Sequence, residues 1–583
     1  MHAVTAGGDA RIDWKQRDWL AAAGLFAATA AVIVWQNAHV AVLWDLAYVL
    51  DTAARIALGQ MPYRDFPLVH APLTFLVQAA IIRLMGRAYW HHVVYMAATG
   101  GAGTVLAWRI ALRLLEGVRG AWWMGLMIAA PLTVLGIYCV FPFPSYDCDC
   151  CFWILVAVWA LLRAEPAGGL RGFAAGVLAC VPVFFKQNMG LPFLAAVVVA
   201  AVLLLIVGRN RLQAHNLAGV GAGMCGALLA LHFTAGTGNY LHWTIRFASQ
   251  RRLPGLPLMA GVYRDPNLLW MLGCVAAGAL LVGWAGVVSH AGAKDAARRV
   301  PGVGRRMPAK AAGFLLLAAP FLWTLASLFV YDDADERSDV LLALWPLLLA
   351  VAAVAAVAVL LRERRLTLRL LAPFILLAAV HGALLSQQLW GSTYGIWPLL
   401  ALLFAAILAA FGGGEPRGLL APGLAAVFSV TLVACGAFYT ASEERLSYVQ
   451  IPDGPVMRSG FPELVGMAAP GPWMPEFDEL LRYAAEKIPP RDGIVLIPGE
   501  DPFYFATGRS PQFPVLLFDP TTNPYSPEQA AALAREREIH WLIIKRDLQL
   551  RADPAPDTAV LRQTLSAEFR LVDRLRGYDV YRR

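Results

Sequence analysis

The sequence predicts a polytopic α-helical membrane protein with a small C-terminal α/β domain on the extracytoplasmic side. Three observations lead there. Of its 583 residues, 58% are hydrophobic and only 15% charged, with a mean hydropathy of +0.57. Soluble domains carry about 25% charged residues. Apolar stretches recur from residue 19 to residue 438. Beyond about residue 441 the composition becomes mixed, Pro-rich and charged, so we divide the chain into 1–440 and 441–583.

A spanning helix needs about 20 mainly apolar residues. Thirteen stretches qualify: 18–40, 91–112, 121–140, 150–164, 171–186, 189–208, 216–235, 267–288, 312–331, 339–361, 370–386, 396–412 and 418–439. Segment 67–86 is also apolar but contains His70, Pro72, Gln78 and Arg83. The charges decide its placement. Let the N-terminal segment, with Arg11, Lys15 and Arg17, be cytoplasmic. If 67–86 does not cross, the Arg-rich links 109–119, 163–171, 209–211, 294–310 and 362–369 all fall inside, as positive-inside bias requires. If it crosses, the pattern inverts. Segment 67–86 is therefore expected along the outer surface, within a first outer loop of about residues 37–90.

The net charge of +8 comes mostly from Arg in short links between apolar segments, so it does not point to nucleic acid. The polar stretch 1–17 and the absence of a small-residue cleavage site predict no cleavable signal peptide. Only Cys148, Cys150 and Cys151 of the eight Cys cluster, and no CxxC pair exists, which argues against a disulfide framework.

The first outer loop concentrates the chemistry. It holds Asp45, Tyr48, Asp51 and Arg55 at roughly helical offsets, ending at Gly59, so a short amphipathic surface helix is expected. Gly59-Gln60-Met61-Pro62-Tyr63-Arg64-Asp65-Phe66 and His70-Ala71-Pro72-Leu73 follow. Ionisable groups at the bilayer boundary are costly unless paired or wet, which makes these acids functional candidates. The plainer reading is a set of solvated loop acids.

An Asp directly after the first span, a Tyr three residues on and then Gly-x-x-Pro-Tyr-x-Asp-Phe resembles the first periplasmic loop of GT-C superfamily glycosyltransferases. The similarity is to the bacterial protein-mannosyltransferase and aminoarabinose-transferase group, glycosyltransferase family 39. It extends over about residues 15–440. Two departures stand out. That family has Pro-Pro-Leu or Lys-Pro where this chain has His70-Ala71-Pro72-Leu73, and Glu where Leu46 follows Asp45. Ser145-Tyr146-Asp147-Cys148-Asp149 and Phe184-Phe185-Lys186-Gln187-Asn188 match later outer positions, where related enzymes carry acids and a Lys. The resemblance implies thirteen spans, a juxtamembrane helix after the first-loop motif and an outward C-terminal domain, in a bacterial inner membrane. It also implies transfer of a sugar from a polyprenyl-phosphate donor to a lipid, protein or glycan acceptor on the outer side.

Such transfer needs a base to take the acceptor proton, and Asp45 is the choice. It also needs cations for the departing phosphate. The candidates are Arg55, Arg64, Lys186, Arg251 and Arg252. Tyr48, Tyr63, Asp65, His70 and Tyr394 are expected to line the substrate cavity. Each has a simpler alternative: Arg251 and Arg252 as headgroup contacts, Lys186 as a snorkelling side chain, Asp65 as a turn acid. Asp147 and Asp149 resemble a DxD pair that could give a divalent metal its oxygen ligands. The interleaved cysteines could supply thiolates or act as small hydrophobes. The cofactor stays open, with a divalent metal ion as the candidate.

In the tail, helices are expected at 477–488 and 526–538, and strands at 493–498, 514–518, 540–545 and 578–583, a strand–helix alternation that suggests an α/β domain. Glu500, Asp501 and Arg509 follow the first strand, where such domains present ligand groups. A transporter or flippase would carry intramembrane charges or paired broken helices, and an O-antigen polymerase or ligase would concentrate its chemistry in a late loop. Here nearly charge-free spans with acids gathered on one face favour the transferase.

Overall fold

A computed structural model of the chain describes residues 14–164, 169–251, 256–294, 306–386, 391–412, 419–441, 454–519, 521–549 and 556–583. The chain is a multi-pass membrane protein. Among the described residues seven helices are long and apolar enough to cross a membrane, and five shorter apolar helices accompany them. Each of the thirteen expected stretches overlaps one or more helices.

Nine helices build the first part of the chain: α1 (Gln16–Asn37), α2 (Leu43–Ala57), α3 (Leu73–Met85), α4 (Tyr89–Leu114), α5 (Ala121–Ala129), α6 (Leu132–Leu135), α7 (Tyr146–Ala164), α8 (Gly169–Cys180) and α9 (Gln187–Ile206). The stretch expected as one helix over 121–140 is broken at Pro131, which caps α6. Proline has no N–H to continue the ladder. Helices α1 and α4 run antiparallel. Tyr89 donates its hydroxyl to Asn37 (2.5 Å), Thr29 donates to Thr104 (3.0 Å), and Arg109 lies 3.8 Å from Asp18. Close approach there depends on glycine: a Cβ on Gly101 of α4 would come within 2.7 Å of the Phe26 ring on α1. Small residues let membrane helices pack in this way.

The end of α1 and the start of α4 therefore lie together, and residues 38–88 leave and return at one end of the bundle. Helix α3 belongs to that excursion. Thr74 near its start donates to Asp149 at the start of α7 (2.7 Å), while Arg83 near its end donates to the Ala57 carbonyl at the end of α2 (2.9 Å). Thirteen residues of helix span about 20 Å, short of a hydrocarbon core of about 30 Å.

The tail contains an antiparallel pair, β1 (Val456–Arg458) and β2 (Ala468–Pro470), and a four-stranded sheet. The sheet has the order β3 (Gly493–Ile497), β4 (Ile539–Lys545), β6 (Tyr578–Arg582), β5 (Arg570–Arg574). β3 and β4 are parallel, and the other pairings are antiparallel. Helix Trp473–Lys487 precedes β3, and helix Pro527–Glu536 precedes β4 with a capping box between Ser526 and Gln529. Strands expected at 493–498, 540–545 and 578–583 are present. The one expected at 514–518 is not a strand. Pro514 cannot donate to a ladder, and the carbonyls of Phe513 and Pro514 are turned to Arg55 instead.

Candidate functional site

The first-loop motif folds into a tight turn. Asp65 accepts from the Met61 N–H (2.7 Å) and takes both arms of Arg64 (2.8 and 2.9 Å). Arg64 holds the Asp65 carboxyl below its usual range, with the Met61 bond adding to the effect. Tyr63 sits in a left-handed conformation, φ 68°, that few non-glycine residues adopt. Its ring meets Tyr240 edge-on at 5.2 Å, and its hydroxyl donates to the His70 carbonyl (2.7 Å). The turn thereby fixes the backbone of His70.

His70 is the centre of an aromatic and polar cluster. Its Nδ1 is 2.7 Å from the Tyr48 hydroxyl on α2, and its ring stacks on Tyr146 at 4.2 Å. Tyr146 opens α7 and also carries Lys186, whose Nζ lies 5.1 Å from the ring centroid. Lys186 donates to Asp147 in a buried ion pair. Lys186 is also the N-cap of α9, with extended backbone. Two helix N-termini therefore meet at this pair, and such ends favour negative charge. Asp45, half-buried in the first turn of α2, lies one helical turn before Tyr48, on the same face. The turn Gly391–Gly395 closes on α7, since a Cβ on Gly395 would lie 3.5 Å from that of Asp147. Tyr394 is buried in it against Phe141, 5.7 Å away.

The cluster thus unites Tyr48, Tyr63, His70, Asp147 and Lys186, with Tyr394 at its edge and Asp45 on the helix that supplies Tyr48. Other expected members lie elsewhere. Arg55 is buried and donates to the carbonyls of Phe513 and Pro514 (2.8 Å each), with Phe66 under its guanidinium at 4.4 Å. It joins the first loop to the tail. Arg64 is exposed and taken by Asp65. Arg251 ends a helix and its side chain lies outside the described residues, as does Arg252 altogether.

Asp147 and Asp149 turn to different partners. Asp147 faces Lys186. Asp149 accepts from Tyr95 (2.6 Å) and Tyr138 (2.5 Å) on one oxygen and from Thr74 (2.7 Å) on the other. Two residues apart on a helix, the carboxylates point about 160° apart by helical geometry. Cys148, Cys150 and Cys151 are buried among apolar side chains. Among the described residues no group of three or more His, Cys, Asp or Glu is arranged to hold a metal.

Several contributors were invisible in the sequence. Gln187 donates to the Val69 carbonyl (3.3 Å) and the Thr244 carbonyl (3.1 Å), tying α9 to the first loop. Glu500 and Asp501, read as ligand groups, instead hold Lys545 at 2.7 and 2.8 Å inside the tail. Burial opposes the Lys545 charge, but Asp501 and Glu500 outweigh it and hold its pKa above the usual value. Arg509 caps helix Trp473–Lys487 by donating to the carbonyls of Ala484 (2.8 Å) and Ile488 (2.6 Å).

No protein-family model matches the chain, and no curated protein does. Solved structures similar to it include ArnT from Cupriavidus metallidurans bound to undecaprenyl phosphate, with 15% identity, 97% of this chain and 98% of that chain covered, and a TM-score of 0.41. Another is the Archaeoglobus fulgidus oligosaccharyltransferase tethered with an acceptor peptide, at 11% identity, 96% and 73% covered, and a TM-score of 0.48. A third is the arabinofuranosyltransferase AftD from Mycobacteria, at 16% identity, 98% and 40% covered, and a TM-score of 0.39.

Proposed function

We propose that this chain is a GT-C-type membrane glycosyltransferase of a bacterial inner membrane. It moves a sugar from a polyprenyl-phosphate donor to a lipid, protein or glycan acceptor on the extracytoplasmic face. In this reading thirteen spans make up residues 1–440, and residues 441–583 form an outward-facing domain. The observation that carries it is the convergence at one bundle end of Tyr48, His70, Asp147 and Lys186, from segments far apart in sequence.

The chemistry follows from the parts. The acceptor hydroxyl or amine attacks C1 of the sugar while Asp45 takes its proton, and the C1–O bond to the lipid phosphate breaks with its electrons going to phosphate. The charge that grows there is met by the Lys186 ammonium and the N-terminus of α9, both fixed before the reaction starts. Tyr48, Tyr63 and His70 form a rigid polar wall for the sugar. Asp149 is occupied by three hydroxyls.

The test is a structure of the full chain with a polyprenyl phosphate. The phosphate should lie against Lys186 and within reach of Asp45. A phosphate bound away from both, or transfer that proceeds without a polyprenyl carrier, would overturn the reading.

A further inference from the structure

Helix α2 carries both Asp45 and Tyr48, and its N-terminus has no capping side chain of its own. The preceding residues are Val40, Ala41 and Val42, and the side chain of Val42 as N-cap offers no acceptor. A helix start leaves its first N–H groups without intrahelical partners. In this chain the partner comes from the tail. Gln549, fully buried, accepts from the Leu43 N–H through Oε1 and donates from Nε2 to the Ala41 carbonyl, each at 2.8 Å. One amide thus grips the helix on both sides of its N-cap.

Gln549 is itself held in place. Its N–H donates to Glu500 (2.9 Å), and Glu500 pairs with Lys545. Lys545 also pairs with Asp501, which accepts from the Tyr578 hydroxyl (2.8 Å). Tyr578, Lys545 and Asp501 all lie in or beside the sheet, so the grip is anchored to the rigid centre of the tail. Side chains that must hold reacting geometry are best fixed by such supporting hydrogen bonds.

We infer that Gln549 is a positioning residue: the tail sets the direction of the Asp45 carboxylate by clamping the start of α2. This rests on Asp45 being the base. The clamp lies within one turn of Asp45, whereas the other contacts between α2 and the tail, through Asp51 and Arg55, lie beyond it.

The experiment uses the full chain in proteoliposomes with a polyprenyl-phosphate-sugar donor, together with amide exchange over residues 41–46. Gln549→Met keeps the volume and removes the amide. It should lower kcat by about tenfold or more, since displacements of about 1 Å carry such costs. Donor KM should change by less than about threefold, and exchange at Leu43 should accelerate. Gln60→Met, which removes the Gln60–Pro511 contact at the far end of α2, should leave kcat and Leu43 exchange near wild type. An unchanged kcat in Gln549→Met, or an equal loss in both variants, would overturn the inference. Should Gln549→Met not fold, Gln549→Asn withdraws the same amide by one methylene and is read in the same way. A wild-type chain whose Asp45→Asn variant still transfers sugar removes Asp45 from the mechanism instead, while Leu43 exchange still judges the clamp.

Discussion

Lys186 and Asp147 form a buried ion pair that joins the cap of α9 to the first turn of α7, with both side chains 8% exposed. Neither is a surface decoration, and each is the other's counter-charge. Removing one buried partner of such a pair typically costs about 2–5 kcal/mol. Lys186→Ala should cut donor-dependent turnover by about tenfold or more. Lys294→Ala, expected on the cytoplasmic side, should have little effect. Because the pair acts as a unit, Lys186→Met with Asp147→Asn should be no worse than the more damaging single variant. Steady-state assays of these variants, the single members of the pair included, decide it, and equal behaviour of Lys186→Ala and Lys294→Ala would take Lys186 out of phosphate binding.

Asp45→Asn should reduce transfer by about 10²-fold or more, the usual scale for losing a general base. An amide matches the carboxylate in size but takes no proton at neutral pH. Expression and membrane insertion should be normal. Near-normal turnover by the purified variant would exclude Asp45.

Asp149 should behave as a structural acceptor. Asp149→Leu leaves the hydroxyls of Thr74, Tyr95 and Tyr138 without their partner, at about 1–3 kcal/mol for each group left unsatisfied, and should lower the thermal midpoint. Asp149→Asn keeps one acceptor oxygen and should leave any divalent-ion dependence of transfer unchanged. A shift in the metal titration of Asp149→Asn would put Asp149 in a metal site after all.

Docking of the tail should depend on pH through Asp51. Its carboxyl accepts from the Phe505 N–H (2.7 Å) at the contact between α2 and helix Phe503–Thr507. Burial pushes its pKa from 3.8 up to about 8, against the pull of the backbone donors. The docked form therefore binds the proton more tightly than the open chain. Its contribution is complete below the ordinary carboxylate range and is lost as pH rises towards about 8. Thermal midpoints should fall between about pH 5 and pH 8 in the wild type and fall less in Asp51→Asn. A wild-type profile as flat as that of the variant would contradict this.

Topology reporters give an independent check. A reporter after Trp90 should respond from the same side as one after Trp44, because α1 and α4 pair antiparallel and both ends of α3 lie at the same bundle end. Opposite responses would mean that 67–86 crosses.

The helices were readable because each is a long apolar run with its own signature. The turn at 61–66 was readable as a motif. Partnerships were not. Lys186 and Asp147 looked like a phosphate cation and half of a metal pair, since 39 residues separate them and nothing local links them. Arg55 had the right helical offset, but its partner Phe513 is 458 residues away. Strand β5 escaped because Arg570, Asp573 and Arg574 give it the charged pattern of an exposed edge, and all five of its residues are exposed. Residues 514–518 misled in the opposite way, with strand-like hydrophobicity spent on packing.

The grip of Gln549 on Leu43 spans 506 positions of the chain. At ribosomal rates of about 5–20 residues per second, roughly 25–100 s separate the emergence of these two residues. Through that interval the Leu43 N–H and the Ala41 carbonyl are without this partner. A nascent chain halted before residue 549 would hold every span expected for the bundle and still lack this contact. Completion of this contact is thereby tied to synthesis of the tail.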